Sequence, residues 1–288
     1  MLCTIGDLLE DVVVWLRADP IRGTDTPARI FRRRGGSAAN VAALATSAGG
    51  RARFIGQVGN DPVGARLVAE LDRGGVDARV SCSGRTGTIV VLVDAKGERT
   101  MLTDRGASTQ LAVAPADALE GVRVLHVPAY SLTVDPLANA AHQLIGEAVD
   151  RGIPVTMDAS SVTELRDFGP TEFLALVAHI EPAVLFCNRA ESKLLGLDLR
   201  SPAPGAGRTI VKAGARPTLV IEADGKTLSV PVPPVEHMVD TTGAGDAFAA
   251  GYLLAMLAGQ GAETAVHAAH LLASRVLRVP GASLSGAS

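Results

Sequence analysis

Short β-branched or apolar runs alternate with longer Ala- and Leu-rich segments through most of the 288-residue chain, and this alternation restricts the fold more than any other feature. Strands separated by helices build an α/β sheet. Residues 122–127, 154–158, 183–187, 209–211 and 218–222 read as central strands, and 136–151, 171–179 and 191–195 have the spacing of helices. The expected architecture is a doubly wound, mostly parallel central sheet flanked by helices, with its ligand site beyond the carboxyl ends of the strands. With 47% hydrophobic and 20% charged residues the chain can bury a large core, and it reads as a single domain over residues 1–288.

Two stretches break the rhythm. Residues 11–31 and 86–103 read as extended chain with turn punctuation, including Asp19-Pro20, Thr26-Pro27 and the hairpin-like Asp94-Ala95-Lys96-Gly97. The run Thr88-Ile89-Val90-Val91-Leu92-Val93 is too β-branched for an ordinary helix. Both stretches lie beside candidate site residues, so they are expected to form a small β-sheet lid. Ser201-Pro202-Ala203-Pro204-Gly205-Ala206-Gly207 reads as a flexible surface loop.

The formal net charge is −3, with Lys and Arg scattered, which argues against nucleic acid or an anionic membrane as partner and for a small-molecule substrate. The run Arg32-Arg33-Arg34 reads either as a solvated strand end or as a charged wall beside a pocket. Cys3, Cys82 and Cys187 have no metal-ligand spacing and read as buried thiols. The first residues lack the basic and long apolar regions of a leader, and no uncharged apolar stretch is long enough to span a membrane. The expected location is cytoplasmic.

Chemistry concentrates near residue 240. Gly243-Ala244-Gly245-Asp246 follows Asp240-Thr241-Thr242 and opens a strongly helical segment, Ala247 onward. Glycines before a helix leave backbone N–H groups and the positive dipole end free to hold an anion such as phosphate. Asp246 reads either as a first-turn acid or as a general base that takes the proton from an attacking hydroxyl. Neither Gly-x4-Gly-Lys-Ser/Thr nor a Gly-x-Gly-x-x-Gly after the first strand is present, which disfavours P-loop and dinucleotide-binding readings.

Two long motifs turn this into a resemblance. Gly35-Gly36-Ser37-Ala38-Ala39-Asn40, continuing through Gly56-Gln57-Val58-Gly59-Asn60-Asp61-Pro62-Val63-Gly64, and Asp240 to Phe248 occur in the order and separation of the ribokinase-like, or PfkB, carbohydrate kinases, which the chain resembles nearly end to end. The resemblance implies an ATP-dependent phosphotransferase with an alcohol acceptor, with sugar held between the α/β domain and the lid. It implies Asp246 as general base, and Gly243, Ala244 and Gly245 as the anion hole. Asp11, Gly35, Gly36 and Asn40 inherit contacts to the acceptor. Asn188 and Glu191 match the family's Asn-x-x-Glu and would order Mg²⁺ and its waters around ATP; the same pair reads as a helix capping box.

Lys212 and Gly214 stand where the family often has Thr-x-Gly under the nucleotide, and the lysine suits a phosphate as a point charge. His270 falls near the expected adenine. Asp240, Thr242, Gly281 and Ser285 align with positions that hold K⁺ in ribokinase-like members. Pairing of two chains through the lid, a homodimer, is a further expectation of the resemblance.

The acceptor is less defined. Leu9, Ser37 and Ala129 replace polar residues of ribokinase, which weakens the case for ribose. Asp7, Asp11, Asn40, Arg105 and Tyr130 remain, with Arg105 able to pair with a carboxylate or phosphate or to sit in a solvated loop. The order of expectation is a sugar or sugar acid, then a nucleoside, then a sugar phosphate. A sugar-binding regulator of weak activity is the alternative of another class.

Overall fold

The computed structural model describes residues 1–94, 98–279, 282 and 284. The first half of the chain gives β1 (Leu2–Ile5), β2 (Leu9–Leu16), β3 (Ala28–Gly35), α1 (Ser37–Ser47), β4 (Ala52–Val58), α2 (Pro62–Arg73), β5 (Asp77–Cys82), β6 (Thr86–Val93), β7 (Arg99–Gly106) and β8 (Val124–Pro128). The second half gives α3 (Leu137–Asp150), β9 (Val155–Asp158), α4 (Val162–Phe168), α5 (Pro170–Ile180), β10 (Val184–Asn188), α6 (Arg189–Leu194), β11 (Arg208–Lys212), β12 (Thr218–Glu222), β13 (Thr227–Val230), α7 (Ala244–Leu257) and α8 (Ala262–Val276).

Nine strands form one sheet in the order β13-β12-β11-β10-β9-β8-β1-β4-β5. From β5 through β11 every pairing is parallel, and β12 and β13 add antiparallel at one edge. A parallel sheet needs cover on both faces, and β4 is buried at all seven of its positions. One face packs the buried side chains of α1, α7 and α8 against Phe54, Phe186 and Ile210, and the other packs those of α3 and α5 against Ile55, Leu125 and Met157. Helix starts follow ordinary chemistry: Asp61 caps α2 by accepting the Gly64 N–H at 2.8 Å, with Pro62 at the first helical position.

Functionally useful positions collect at one edge of this sheet. The carboxyl ends of β1, β8, β9, β10 and β11 deliver Asp7, Ala129, Asp158, Asn188 and Lys212 to the same side.

The two stretches read as extended chain supply a separate four-stranded sheet, β3-β2-β6-β7, whose strands run a few residues beyond the expected limits to Gly35 and Gly106. The alternation of side chains puts Asp11, Val13 and Trp15 on one face and Val12 and Val14 on the other. The outer face remains largely uncovered, with Ile30 62% and Leu102 55% exposed. Asp94 closes the turn between β6 and β7 by accepting the Glu98 N–H at 2.9 Å, while residues 95–97 of the expected hairpin lie outside the described residues.

Two local expectations are corrected. The 201–207 segment is not a loose surface loop: Ala203 and Ala206 are buried in the core, and the Ala203 N–H donates to Thr209 Oγ1 at 2.8 Å. Cys3 and Cys187 are buried, but Cys82 at the end of the edge strand β5 is exposed.

Candidate active site

Asp246 sits in the first turn of α7, whose entry is fixed by Gly243 at φ 75°. A Cβ at Gly243 would lie 2.3 Å from Ala282 Cβ, so the left-handed turn and its close packing both require glycine there. The Ala244 N–H donates to Thr241 O at 3.3 Å and the Ala247 N–H to Gly243 O at 2.8 Å. Between them, the N–H groups of Gly245 and Asp246 have no backbone acceptor among the described residues. These free amides carry the positive end of the helix.

Lys212 reaches the same place from β11. Its Nζ lies 3.5 Å from where a Cβ on Gly245 would stand, and it donates to Asp158 Oδ2 at 2.6 Å. Burial disfavours the lysine's charge, but the carboxylates of Asp158 and Glu191 more than offset that and hold its pKa above the ordinary value. Two free amides and an ammonium beside backbone without side chains suit an anionic group such as a nucleotide phosphate.

The Asp246 carboxylate is held at both oxygens. Ser37 Oγ donates to Oδ1 at 2.7 Å and Asn40 Nδ2 to Oδ2 at 3.0 Å, both from the first turn of α1. Burial pushes its pKa up to about 6, against the opposing pull of these two hydrogen bonds. Across the cleft, the carboxylate of Asp11 on β2 makes no hydrogen bond among the described residues. Its pKa is pushed up to about 7, first by burial and then by the charge of Asp246, with Arg34 pulling the other way. Gly35 makes this placement feasible, because a Cβ there would fall 2.2 Å from Asp11 Oδ1.

Beyond Asp11 a cleft of about 540 Å³ opens between the two sheets, lined by Val13, Trp15, Val91, Val93 and Arg99 and by residues 238–242. A cavity of about 580 Å³ around Met1, Arg53 and Asp77 lies at the opposite, amino ends of the strands and shares none of these residues.

The other candidates fall into more local arrangements. Arg105 clasps Asp7 through Nε and Nη2, each at 2.8 Å, and donates to Tyr130 O at 2.7 Å. Asn188 and Glu191 form a complete capping box at the start of α6. Glu191 is buried, and its pKa is raised by burial and then by the negative charge of Asp158. Gly214 forms a turn at φ 64° after β11. His270 is in the core, with Nε2 2.9 Å from Thr218 Oγ1 and its ring edge-on to Phe248 at 5.5 Å. Asp240 accepts from the Thr242 N–H at 2.9 Å, and Arg99 of the small sheet donates to the hydroxyls of Thr241 and Thr242. Gly281 and Ser285 lie outside the described residues. Among the described residues no group of three or more His, Cys, Asp or Glu side chains is arranged to hold a metal ion.

Three contributors, Ser37, Asp158 and Arg99, were not identifiable from sequence, and Arg34 was legible only through one of the two readings of its arginine run, the charged wall beside a pocket. Ser37 stood out only as a replacement, yet it binds the carboxylate of Asp246. Asp158 carries no motif, and its strand-end position was the only available sign. Arg34 and Arg99 reach the site through partners distant in sequence, such as Glu70 and Thr242.

Known proteins resemble the chain along almost its whole length. It matches the pfkB family of carbohydrate kinases over residues 1–287. It is 32% identical to a fructokinase of Klebsiella pneumoniae, covering 86% of this chain and 85% of that protein. An adenosine kinase of Saccharomyces cerevisiae is 27% identical, over 86% of this chain and 79% of that one. Among solved structures, the adenosine kinase of Sinorhizobium meliloti superposes with a TM-score of 0.87 at 25% identity, covering 98% of this chain and 94% of that one. A putative ribokinase II from E. coli in complex with ATP and Mg²⁺ shares the fold, with a TM-score of 0.84 at 22% identity over 100% of this chain and 95% of that one. No helix among the described residues is long and apolar enough to cross a membrane. A family match over residues 1–287, with a fructokinase 32% identical over 86% of the chain, makes this chain a member of the pfkB carbohydrate kinase family and a phosphotransferase.

Proposed function

We propose that the protein transfers the γ-phosphate of ATP to a primary hydroxyl on a sugar ring, either free or carried in a nucleoside. The observation that carries this reading is the placement of Asp246: its carboxylate is gripped by Ser37 and Asn40 and sits one residue from the free amide of Gly245. ATP, when bound, supplies the phosphoryl group, and Mg²⁺ neutralises charge on its phosphates.

The chain's own residues act as follows. Asp246 takes the proton from the acceptor hydroxyl, and a pKa raised to about 6 makes it a stronger base than an exposed carboxylate while leaving it ionised at neutral pH. The Gly245 and Asp246 amides and the Lys212 ammonium meet negative charge that spreads over the transferring group. Asp11 accepts hydrogen bonds from other hydroxyls of the ring, and in its ionised form these are charge-assisted and stronger than neutral ones. Gly35 and Gly36 let the acceptor approach the backbone. Gly214 turns the chain after Lys212, and Glu191, held by Asn188 in the capping box, would help order the waters of a bound Mg²⁺.

The lining of the cleft favours a nucleoside within this class. Val13, Trp15, Val91 and Val93 offer apolar surface beyond Asp11, where a planar base would be covered and a free hexose would leave it wet. Arg105, both of whose engaged nitrogens are taken by Asp7 and Tyr130, gives little support to a sugar acid. Adenosine kinase and nucleoside kinase occur among the relatives, beside fructokinase.

The test is ADP release across a panel of ribose, fructose, adenosine and inosine, run with the natural protein and with Asp246→Asn. The substitution is expected to lower kcat by about 10³-fold, within the range for loss of a general base, with acceptor binding still measurable. Near-normal turnover by Asp246→Asn would remove the base from the reading. Binding without turnover across the whole panel would replace the enzyme by a sugar-binding regulator.

A further inference from the structure

The run Arg32-Arg33-Arg34 ends in a side chain that does not behave like a surface arginine. Arg34 leaves the end of β3 and turns inward until its side chain is only 10% exposed. Its three nitrogens are spread over three elements: Nε donates to Asn40 Oδ1 at 3.4 Å, Nη1 to Glu70 Oε1 of α2 at 2.9 Å, and Nη2 to Ala282 O at 3.3 Å. Asn40 in turn gives its Nδ2 to Asp246 Oδ2 at 3.0 Å.

The polarity of this chain of bonds follows from what each group can do. A guanidinium donates and never accepts, so the side of the amide facing Arg34 must be the oxygen. That leaves the NH₂ of Asn40 facing the carboxylate. In a cleft where Asp246 exchanges a proton with the acceptor, the carboxylate alone does not fix the amide: a protonated Asp246 can donate to an amide oxygen as readily as an ionised one accepts from an amide nitrogen. A donor on the far side removes the alternative.

We infer that Arg34 is a positioning residue for the catalytic base, acting through Asn40 by fixing its amide so that the NH₂ always meets Asp246. The role rests on Asp246 being the base. It needs one donor at one place, the position of Nε, and the other two contacts of Arg34 anchor that donor to α2 and to the C-terminal segment. Asn40 is then more than an acceptor contact, because its orientation is imposed from outside the substrate pocket.

Two substitutions separate this role from a structural one. Arg34→Met places a carbon where Nε stood, and Arg34→Gln places an amide nitrogen there; both lose the charge, the Glu70 pair and the bond to Ala282. Arg34→Met is expected to lower kcat about tenfold, the scale of one oriented hydrogen bond, with the KM for ATP unchanged within a factor of about two. Arg34→Gln is expected to recover most of that kcat. In an Asn40→Ala background the Met and Gln variants should not differ, since the group through which they act is gone.

Equal losses in Arg34→Met and Arg34→Gln, or a difference that persists without Asn40, would overturn the inference. If Arg34→Met does not fold, comparison of Arg34→Gln with the natural protein in the Asn40→Ala background decides the same point: any difference in kcat there means that Arg34 acts by another route. Asp246→Asn measured in the same assay keeps the two readings apart. Turnover by that variant defeats the base, whereas an inactive Asp246→Asn beside an unaltered Arg34→Met defeats only the role of Arg34.

Discussion

The two walls of the cleft hold their carboxylates in opposite ways. On the wall built from the large sheet, every charged group is tied: Asp246 to Ser37 and Asn40, and Lys212 to Asp158. On the wall built from the small sheet, the Asp11 side chain has no hydrogen-bond partner among the described residues and is followed along its strand by Val13 and Trp15. The difference separates two tasks. Groups that meet developing charge work best when fixed beforehand. A group that reads the acceptor discriminates best when its bonds are completed by the right hydroxyls and left open by the wrong ones.

The comparison can be broken first at Lys212. If its ammonium is part of the fixed wall, Lys212→Met should lower kcat by roughly 10²-fold, the scale found when one donor to a developing charge is removed. Steady-state kinetics with varied ATP would check this. A loss of thermal stability with kcat intact would reduce Lys212 to a structural partner of Asp158.

Asp11 tests the open wall. Asp11→Asn should raise the acceptor KM about tenfold, because charge-assisted bonds become neutral ones. Stability should move as well. A carboxyl whose pKa rises from 3.8 in the unfolded chain to about 7 binds its proton more tightly when folded, so its contribution is fully favourable below 3.8 and is lost as pH rises through about 7. Asp11→Asn is therefore expected to melt a few degrees higher than the natural protein near pH 8, with the advantage gone near pH 4. Melting curves that keep the same separation at both pH values would contradict the partly buried, unpartnered state of the Asp11 carboxyl.

The smallest effect is expected at Arg99, which joins the walls through the hydroxyls of Thr241 and Thr242 and lies 3.4 Å from Asp240 Oδ1. Partly exposed contacts of this kind contribute modestly. Arg99→Ala should change kcat and acceptor KM by about two- to fivefold. A loss as large as that of Lys212→Met would mean that the walls are not separable.

How much of this was legible in the sequence depended on distance along the chain. The alternation of strands and helices and the glycine-rich helix start are local patterns, and the structure follows them with shifts of one or two residues, as in β8 and α5. Arg32, Arg33 and Arg34 are one letter repeated, yet Arg32 stays exposed as it pairs with the buried Glu10, while Arg34 is buried against Asn40 and Glu70. Both point to the same face of β3, so parity does not separate them; Arg34 lies nearer α1 and the C-terminal segment, and that closeness is not written in the run itself. Arg105 finds Asp7 across 98 residues, a pairing no spacing rule announces. The 201–207 segment was misread because Pro and Gly mark a turn without saying which of its alanines face the core.

The small sheet has one more consequence, for how such proteins change specificity. It carries apolar side chains on both faces, with Val13, Val91 and Val93 toward the cleft and Val12, Val14, Ile30 and Leu102 outward, and among the described residues β3 and β7 are its edges. A sheet of that kind is sticky when severed from its base and is a poor module to transplant between relatives. New acceptors are more readily accommodated by exchanging the inward-facing side chains of β2 and β6 one at a time, with the backbone that Arg99 and Arg34 anchor left untouched.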